Sequence, residues 1–312
     1  MIQYNANDSV FYISDYQREP HTLKQFDLLL ENGWITPLQD GRVIFGNDFH
    51  EIMQLFDSII MSWAAEDGAE EVYYPDFYVA DDLKKCNYIE QFHPHCFFAS
   101  ISSSDTFQEE ALSCSGFINN PAVCMHSYIQ HQDSSVDENN PLVITAKGKC
   151  KRNEHAGFQS LERLLDFTMR EIIFVGGERF VLSKRNEYME KGKQLIEALQ
   201  LEGNITVSND PFFRKEDETK AAFQRKFKLK YELNLKNTDN GHEVAVASFN
   251  YHNINFSKAY NISLTDSRLA HTACMAFGLE RLAFTYITQV GFENCYEQLK
   301  NILRECENER YK

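Results

Sequence analysis

The chain has 312 residues, of which 43% are hydrophobic and 13% aromatic, enough for a sizeable core and incompatible with a disordered tail. Its net charge of -15 at pH 7 argues against a dedicated nucleic-acid binder, a class that carries a basic excess, but leaves room for a nucleotide in a local basic pocket. No apolar run reaches the length of a membrane span, and Met1-Ile2-Gln3-Tyr4-Asn5 lacks the basic start and apolar core of a signal peptide, so the expectation is a cytoplasmic protein.

Residues 1–45 read as a small irregular lead-in to one large domain over 46–312. From about Asp48 to Ala65, Ile52, Met53, Leu55, Phe56, Ile59, Ile60 and Trp63 recur at helical spacing and predict an amphipathic helix. A short strand, Val72-Tyr73-Tyr74, stops at Pro75, and a helix covers Phe77 to Lys85. Residues 131–140 form a polar loop, followed by a strand over 142–150 and, after about twenty residues, another over 171–175. Ser183 caps a long helix reaching Leu201, and Glu216 to Lys228 form a charged helix. Val244 to Phe249 is a strand with alternate valines. Thr265-Asp266-Ser267 cap a helix or turn before a small-residue turn at 273–278, and helices close the chain. Strands paired across polar loops with helices between them imply α+β with a largely antiparallel sheet.

The eight cysteines are scattered without a Cys-x-x-Cys pair, which excludes a compact zinc ribbon and leaves thiols or single ligands. The chemistry gathers elsewhere. Arg152 and Glu154 share one face at the end of a strand. A loop follows, then Arg163-Leu164-Leu165-Asp166-Phe167. One arginine can neutralise an α-phosphate, another can hold terminal phosphates, and a phenylalanine can stack on a base. Gly278-Leu279-Glu280-Arg281 opens a helix and offers a second guanidinium. Taken singly, Arg152 and Glu154 read equally as an ion pair on a solvated face, and single cysteines as small buried hydrophobes.

Together these segments resemble the catalytic core of class II aminoacyl-tRNA synthetases, closest to the seryl type. The 48–75 segment resembles the family's first motif, a dimer-interface element. Arg152-x-Glu154 with Arg163-x-x-x-Phe167 resembles the second, and Gly278-Leu279-Glu280-Arg281 the third. Two departures stand out. Lys151 replaces the usual aromatic before the motif arginine, and Cys274-x-Ala276-x-Gly278 replaces three alternate glycines. The cysteine resembles the zinc-dependent seryl-like enzymes, in which two cysteines and a glutamate hold the metal and the fourth position takes the substrate amine. The matching positions are Cys124, Glu171 and Cys274.

The resemblance implies ATP as substrate, bound by Arg152, Glu154, Arg163, Phe167, Ser248, Asn250 and Arg281, with Arg152 and Arg281 catalytic. It also implies Mg2+, for which Glu243 fits the expected order ahead of a serine and an asparagine, although it reads equally as a solvated strand-start residue. Phe249 separates Ser248 from Asn250, where the seryl pattern has them adjacent. The chain reaches its first motif within about fifty residues and shows no basic tRNA-gripping arm. That combination resembles the amino acid:carrier-protein ligases, which adenylate a small amino acid and transfer it to the phosphopantetheine thiol of a carrier protein. The inserted helical segment, set at 204–236, is then the expected carrier-docking element, through Arg214, Lys215, Lys220, Arg225, Lys226, Lys228 and Lys230. A homodimer is implied and tRNA is not the expected partner. The alternatives are a tRNA-charging seryl-like enzyme and a non-catalytic synthetase-like paralogue.

Overall fold

A computed structural model describes residues 9–39, 41–153, 160–210 and 218–309, with side chains to Cys306. Eight strands form the main sheet: β1 (Val10–Ile13), β2 (Glu70–Glu71), β3 (Leu142–Lys151), β4 (Asp166–Gly176), β5 (Gly203–Val207), β6 (Lys230–Lys236), β7 (Glu243–Asn253) and β8 (His271–Gly278). Their spatial order is β1-β5-β6-β7-β8-β4-β3-β2, and every neighbour is antiparallel except β2 on β3. The α+β class with a large antiparallel sheet, flanked by helices, is as expected from the sequence.

The sheet has two different faces, because successive strand residues point opposite ways. On one face Ile172 and Phe174 of β4, Met275 and Phe277 of β8, Phe249 of β7 and Leu233 of β6 are buried in the main core. The helices α1 (Asn47–Glu66), α3 (Glu178–Ala198) and α5 (Leu279–Val290) cover this face. Each supplies an apolar stripe, such as Phe49, Ile52, Phe56, Ile60 and Trp63 from α1. The ring of Trp63 meets that of Phe277 edge-on at 6.0 Å. Gly192 lets α3 approach closely, since a Cβ there would lie 3.1 Å from both Leu233 and Phe249.

The opposite face presents Glu171 on β4, Cys274, Ala276 and Gly278 on β8, Ser248, Asn250 and His252 on β7, and Lys230 and Glu232 on β6. Pairing sets these in rows: Glu171–Ala276–Ser248–Glu232, and beside it Ile173–Cys274–Asn250–Lys230. Residues that are distant in the chain are thereby neighbours in space.

Several elements differ from the sequence expectations. The lead-in is part of the fold: β1 pairs with β5 at the sheet edge, and a helix over Gln25–Glu31 and a hairpin of Ile35–Pro37 with Val43–Phe45 follow. The strand before Pro75 is Glu70–Glu71; beyond it only the Val72 N–H still bonds β3, at Thr145 O. Phe77–Val79 is a strand, held by Leu112–Asn119, and the helix begins at Ala80. The long helix starts at Glu178, not Ser183, with Gly177 as its extended N-cap, and ends at Ala198. Residues 273–278 are strand rather than turn, since β4 and β7 flank them and satisfy both backbone edges. Thr265-Asp266-Ser267 lie in a turn ahead of that strand, and the helix starts at Leu279. Of the 204–236 segment, β5 and β6 belong to the main sheet; only the helix α4 (Glu218–Lys226) stands between them among the described residues. Among the described residues no helix is long and apolar enough to cross a membrane.

A buried ion pair lies on the core side. Arg170 of β4 donates to Asp57 of α1 through Nε at 2.7 Å and Nη2 at 3.1 Å, and to Glu71 through Nη1 at 2.9 Å. Lys147 adds a bond to Asp57 at 2.8 Å. Burial alone would raise the Asp57 pKa, but the bonds and charges of Arg170 and Lys147 hold it below the usual carboxylate value. Arg170→Ala strands a buried carboxylate and is expected to cost about 3–5 kcal/mol in urea unfolding. Because the folded pKa is depressed, the stabilisation from Asp57 is complete above pH ~4 and is lost as pH falls further. The gap in unfolding free energy between wild type and Asp57→Asn should therefore stay constant at neutral pH and close only in acid.

Candidate active site

The site is a cavity of about 630 Å³ above the polar face of the sheet. Its floor is the sheet. Its walls come from the segment around Cys124, the short helices Tyr88–Phe92 and Asn255–Tyr260, the α4 region, and the entry to α5. At one end Cys124, Glu171 and Cys274 converge, all buried, with ligand atoms mutually within 4.8 Å. Glu171 and Cys274 sit on adjacent strands, one register step apart on the same face. Cys124 enters from the turn that opens α2 (Met125–Gln130).

The electrostatics of this cluster suit a cation. Glu171 Oε1 accepts from the Val123 N–H at 2.9 Å, while Oε2 is buried and makes no hydrogen bond. Burial raises the Glu171 pKa. Cys124 is pushed well above the ordinary thiol value by its bond to Cys274, by burial and by the nearby Glu171. Without an ion, burial disfavours ionisation of all three groups, and the Glu171 charge disfavours it in both thiols. A divalent ion reverses that balance, and two thiolates with one carboxylate and one open position match the donor set of a catalytic zinc.

At the other end lie the arginines. Arg152 Nε donates to Pro121 O at 2.9 Å, and its guanidinium stands 5.3 Å from the Phe167 ring centroid. Arg281, in the first turn of α5, donates from Nη1 to Ala245 O at 3.4 Å. Both line the cavity, as do Phe167, Ser248 and Asn250. Asn250 Nδ2 donates to Ser248 Oγ at 2.9 Å and reaches Cys274 Sγ at 3.5 Å.

Two expected site residues are not brought together with these, and a third is not described. Arg163 is exposed and does not line the cavity. Glu243 is also exposed and outside the lining; its Oε1 accepts from Asn204 Nδ2 at 2.8 Å, at the far end of β7. Glu154 lies outside the described residues. The cavity also contains groups the sequence reading passed over. His252 lies on the same face of β7 as Ser248 and Asn250, with Nε2 3.6 Å from Cys274 Sγ. Burial pushes its pKa down to about 4, so it is neutral. The alternation Ser248-x-Asn250-x-His252 was the signal that could have found it. Glu280 is buried and accepts from the Thr168 N–H and hydroxyl, both at 2.7 Å. Lys230, assigned above to a docking surface, instead faces the cavity and bonds Asp210 at 2.9 Å and Glu232 at 3.1 Å.

No family model matches the chain. It is 25% identical over 317 residues to the type-2 serine–tRNA ligase of Methanococcus aeolicus, covering 93% of this chain and 59% of that protein. It is 28% identical over 250 residues to amino acid–[acyl-carrier-protein] ligase 1 of Bradyrhizobium diazoefficiens, covering 73% of this chain and 76% of the ligase. Ligase 2 of the same organism is 30% identical over 187 residues, 59% of this chain and 55% of the ligase. Among solved structures, the M. kandleri SerRS in complex with A. aeolicus tRNASec superposes with a TM-score of 0.83 at 20% identity, over 96% of this chain and 63% of that one. The cytoplasmic serine–tRNA ligase of Naegleria fowleri in complex with AMP gives 0.74 at 12% identity, over 96% and 65%.

The chain has a class II aminoacyl-tRNA synthetase-like core. Its homologues include seryl-tRNA ligases and amino acid–carrier ligases. It spans 59% of the length of the Methanococcus aeolicus protein.

The cluster predicts its own composition. Purified protein should carry one zinc per chain by atomic absorption. Cys124→Ser and Cys274→Ser should each lower that content at least tenfold, whereas Cys295→Ser, a buried thiol outside the cavity, should leave it unchanged.

Proposed function

We propose that this protein activates a small amino acid with ATP as an aminoacyl-adenylate and passes it to the phosphopantetheine thiol of a carrier protein. The observation that carries this reading is one cavity holding both the Cys124–Glu171–Cys274 cluster and the Arg152–Phe167 pair, with Arg281 on the opposing wall. A zinc ion on the cluster would supply a Lewis-acid position selective for a neutral amine.

The chain's own groups then orient the reaction. Arg152 neutralises the α-phosphate, a carboxylate oxygen of the amino acid attacks the α-phosphorus, and pyrophosphate leaves. Arg281 steadies the outer phosphates, where Mg2+ bound with the nucleotide would supply further charge neutralisation; Arg163 is exposed outside the cavity. Asn250 and Ser248 face the reacting end of the cavity. In the second step the carrier thiol attacks the acyl carbon, AMP departs, and the thiol proton is released. No protein nucleophile is required.

The carrier reading is supported by the 76% coverage of amino acid–[acyl-carrier-protein] ligase 1 and by α4. That helix exposes Phe223, as does Phe227 just beyond it, next to a cleft lined by Gln91, Thr219, Lys220, Phe223, Gln224 and Asn255. Of the basic residues assigned to docking, Lys220, Arg225 and Lys226 lie on α4 and Lys228 just beyond it, with Arg225 bonded to Asn209; Arg214 and Lys215 lie outside the described residues. The second reading, tRNA charging, is favoured by the type-2 serine–tRNA ligases among the relatives. A homodimer through α1 and β2 belongs to the proposal.

The first test is amino-acid-dependent ATP–pyrophosphate exchange on metal-quantified protein. Exchange with one small amino acid, abolished by chelation, is expected. Arg152→Ala and Arg281→Ala should each lower it about 10²–10³-fold, and Arg163→Ala less than tenfold. Unchanged exchange in Arg281→Ala sinks the ATP assignment. Radiolabelled amino acid offered to both a phosphopantetheinylated carrier and total tRNA then decides the acceptor: label on the carrier supports the proposal, and label on tRNA alone overturns it.

A further inference from the structure

Among the described residues, His252 is the imidazole that contacts a cluster sulfur, and its environment is specific. It lies on β7 one alternation beyond Asn250, which pairs directly with Cys274. Its Nε2 is 3.6 Å from Cys274 Sγ. Its Nδ1 is 3.2 Å from the Tyr128 hydroxyl and 3.3 Å from the Thr272 hydroxyl. The Tyr128 ring meets the imidazole edge-on at 6.0 Å and stacks on Phe256 at 4.5 Å, which fixes the plane of the tyrosine.

A thiolate that holds a metal has lone pairs and no proton. An imidazole nitrogen facing it is attractive only if it carries the hydrogen. Nε2 must then be the donor and Nδ1 the acceptor. Two hydroxyls stand within reach of Nδ1 to donate to it, so the surroundings match that tautomer. His252 is not part of the cluster whose ligand atoms all lie within 4.8 Å of one another, so it meets the metal centre through the sulfur. Asn250 Nδ2 approaches the same sulfur at 3.5 Å, which gives Cys274 two N–H neighbours, both from β7.

We propose that His252 is the positioning residue of the metal centre: its Nε2–H donates to the Cys274 sulfur, with Tyr128 and Thr272 holding the ring in the required tautomer. This rests on the three-ligand reading above and deepens it. The bond draws charge from one thiolate, fixes the direction of its lone pairs, and leaves the fourth position turned toward the cavity. Partners of this kind typically change metal retention by about 10–100-fold.

The test uses the full chain loaded with zinc and, separately, with Co2+. His252→Phe keeps a planar ring and removes both nitrogens; His252→Gln returns an N–H near the position of Nε2. Zinc affinity is read by chelator competition and the sulfur-to-cobalt charge-transfer band by absorbance. His252→Phe is expected to weaken zinc retention about 10–100-fold and to shift the band, with His252→Gln recovering most of both. Tyr128→Phe combined with Thr272→Val should shift the band in the same direction. If His252→Phe misfolds, His252→Ala and the double variant carry the test. Zinc affinity within twofold of wild type and an unmoved band in His252→Phe or His252→Ala and in the double variant overturn the proposal. X-ray absorption showing a nitrogen ligand in wild type that His252→Gln loses also overturns it, by making His252 a ligand. A wild-type chain that takes up neither metal sinks the three-ligand reading itself, a result distinct from intact metal binding indifferent to His252.

Discussion

Arg170 and Glu171 are consecutive residues of β4, and the alternation of the strand sends them to opposite sides of the sheet. Arg170 passes into the core and is bonded to Asp57 of α1 and Glu71 of β2. Glu171 turns to the thiols of Cys124 and Cys274. The rest of the structure depends on this two-sidedness. A slip of one residue in β4 would bury the carboxylate among Phe49, Phe56 and Trp63 and carry the guanidinium to the metal cluster. The ion pair that ties β4 to α1 therefore also fixes the strand register that delivers a ligand to the site.

The same rule acts on the neighbouring strands. On β8, Met275 and Phe277 pack into the core while Cys274 and Ala276 face the cavity. On β7, Phe249 is core, whereas Ser248, Asn250 and His252 are site. The intervening Phe249, which breaks the adjacency of serine and asparagine seen in the seryl pattern, thus has a structural place: it plugs the core under Gly192 of α3. Ala276 and Gly278 put small residues on the cavity floor.

Polarity changes along that cavity. The metal end is lined by anions-in-waiting, two thiols and a carboxylate, each held toward its neutral form by burial. The arginine end brings Arg152 and Arg281 to the wall. The wall near α4 is different in kind, with Asp210, Gln224 and Lys230 bonded to one another. The helix beyond β5 is thus tied to the cavity edge by hydrogen bonds, while Phe223 sits at the rim.

Much of this was legible in the residues. The helical period of α1, the strands around 142–150 and 244–249 and the pair Arg152–Phe167 follow from spacing and residue chemistry, which are properties of the chain itself, whereas the cluster Cys124–Glu171–Cys274 has no local metal spacing and follows only from motif resemblance. Other features were not. Residues 273–278 have the small side chains of a turn and become strand only because β4 and β7 satisfy both edges. Glu243 looked like a site carboxylate in linear order, but it sits at the outer end of β7 beside Asn204. His252 showed no pattern among the histidines until the pairing of Asn250 with Cys274 placed it at the sulfur. The sequence determined which groups were present and which faces were apolar. The tertiary structure decided which groups meet, because that depends on strand order and register, and these are set by contacts between segments a hundred residues apart.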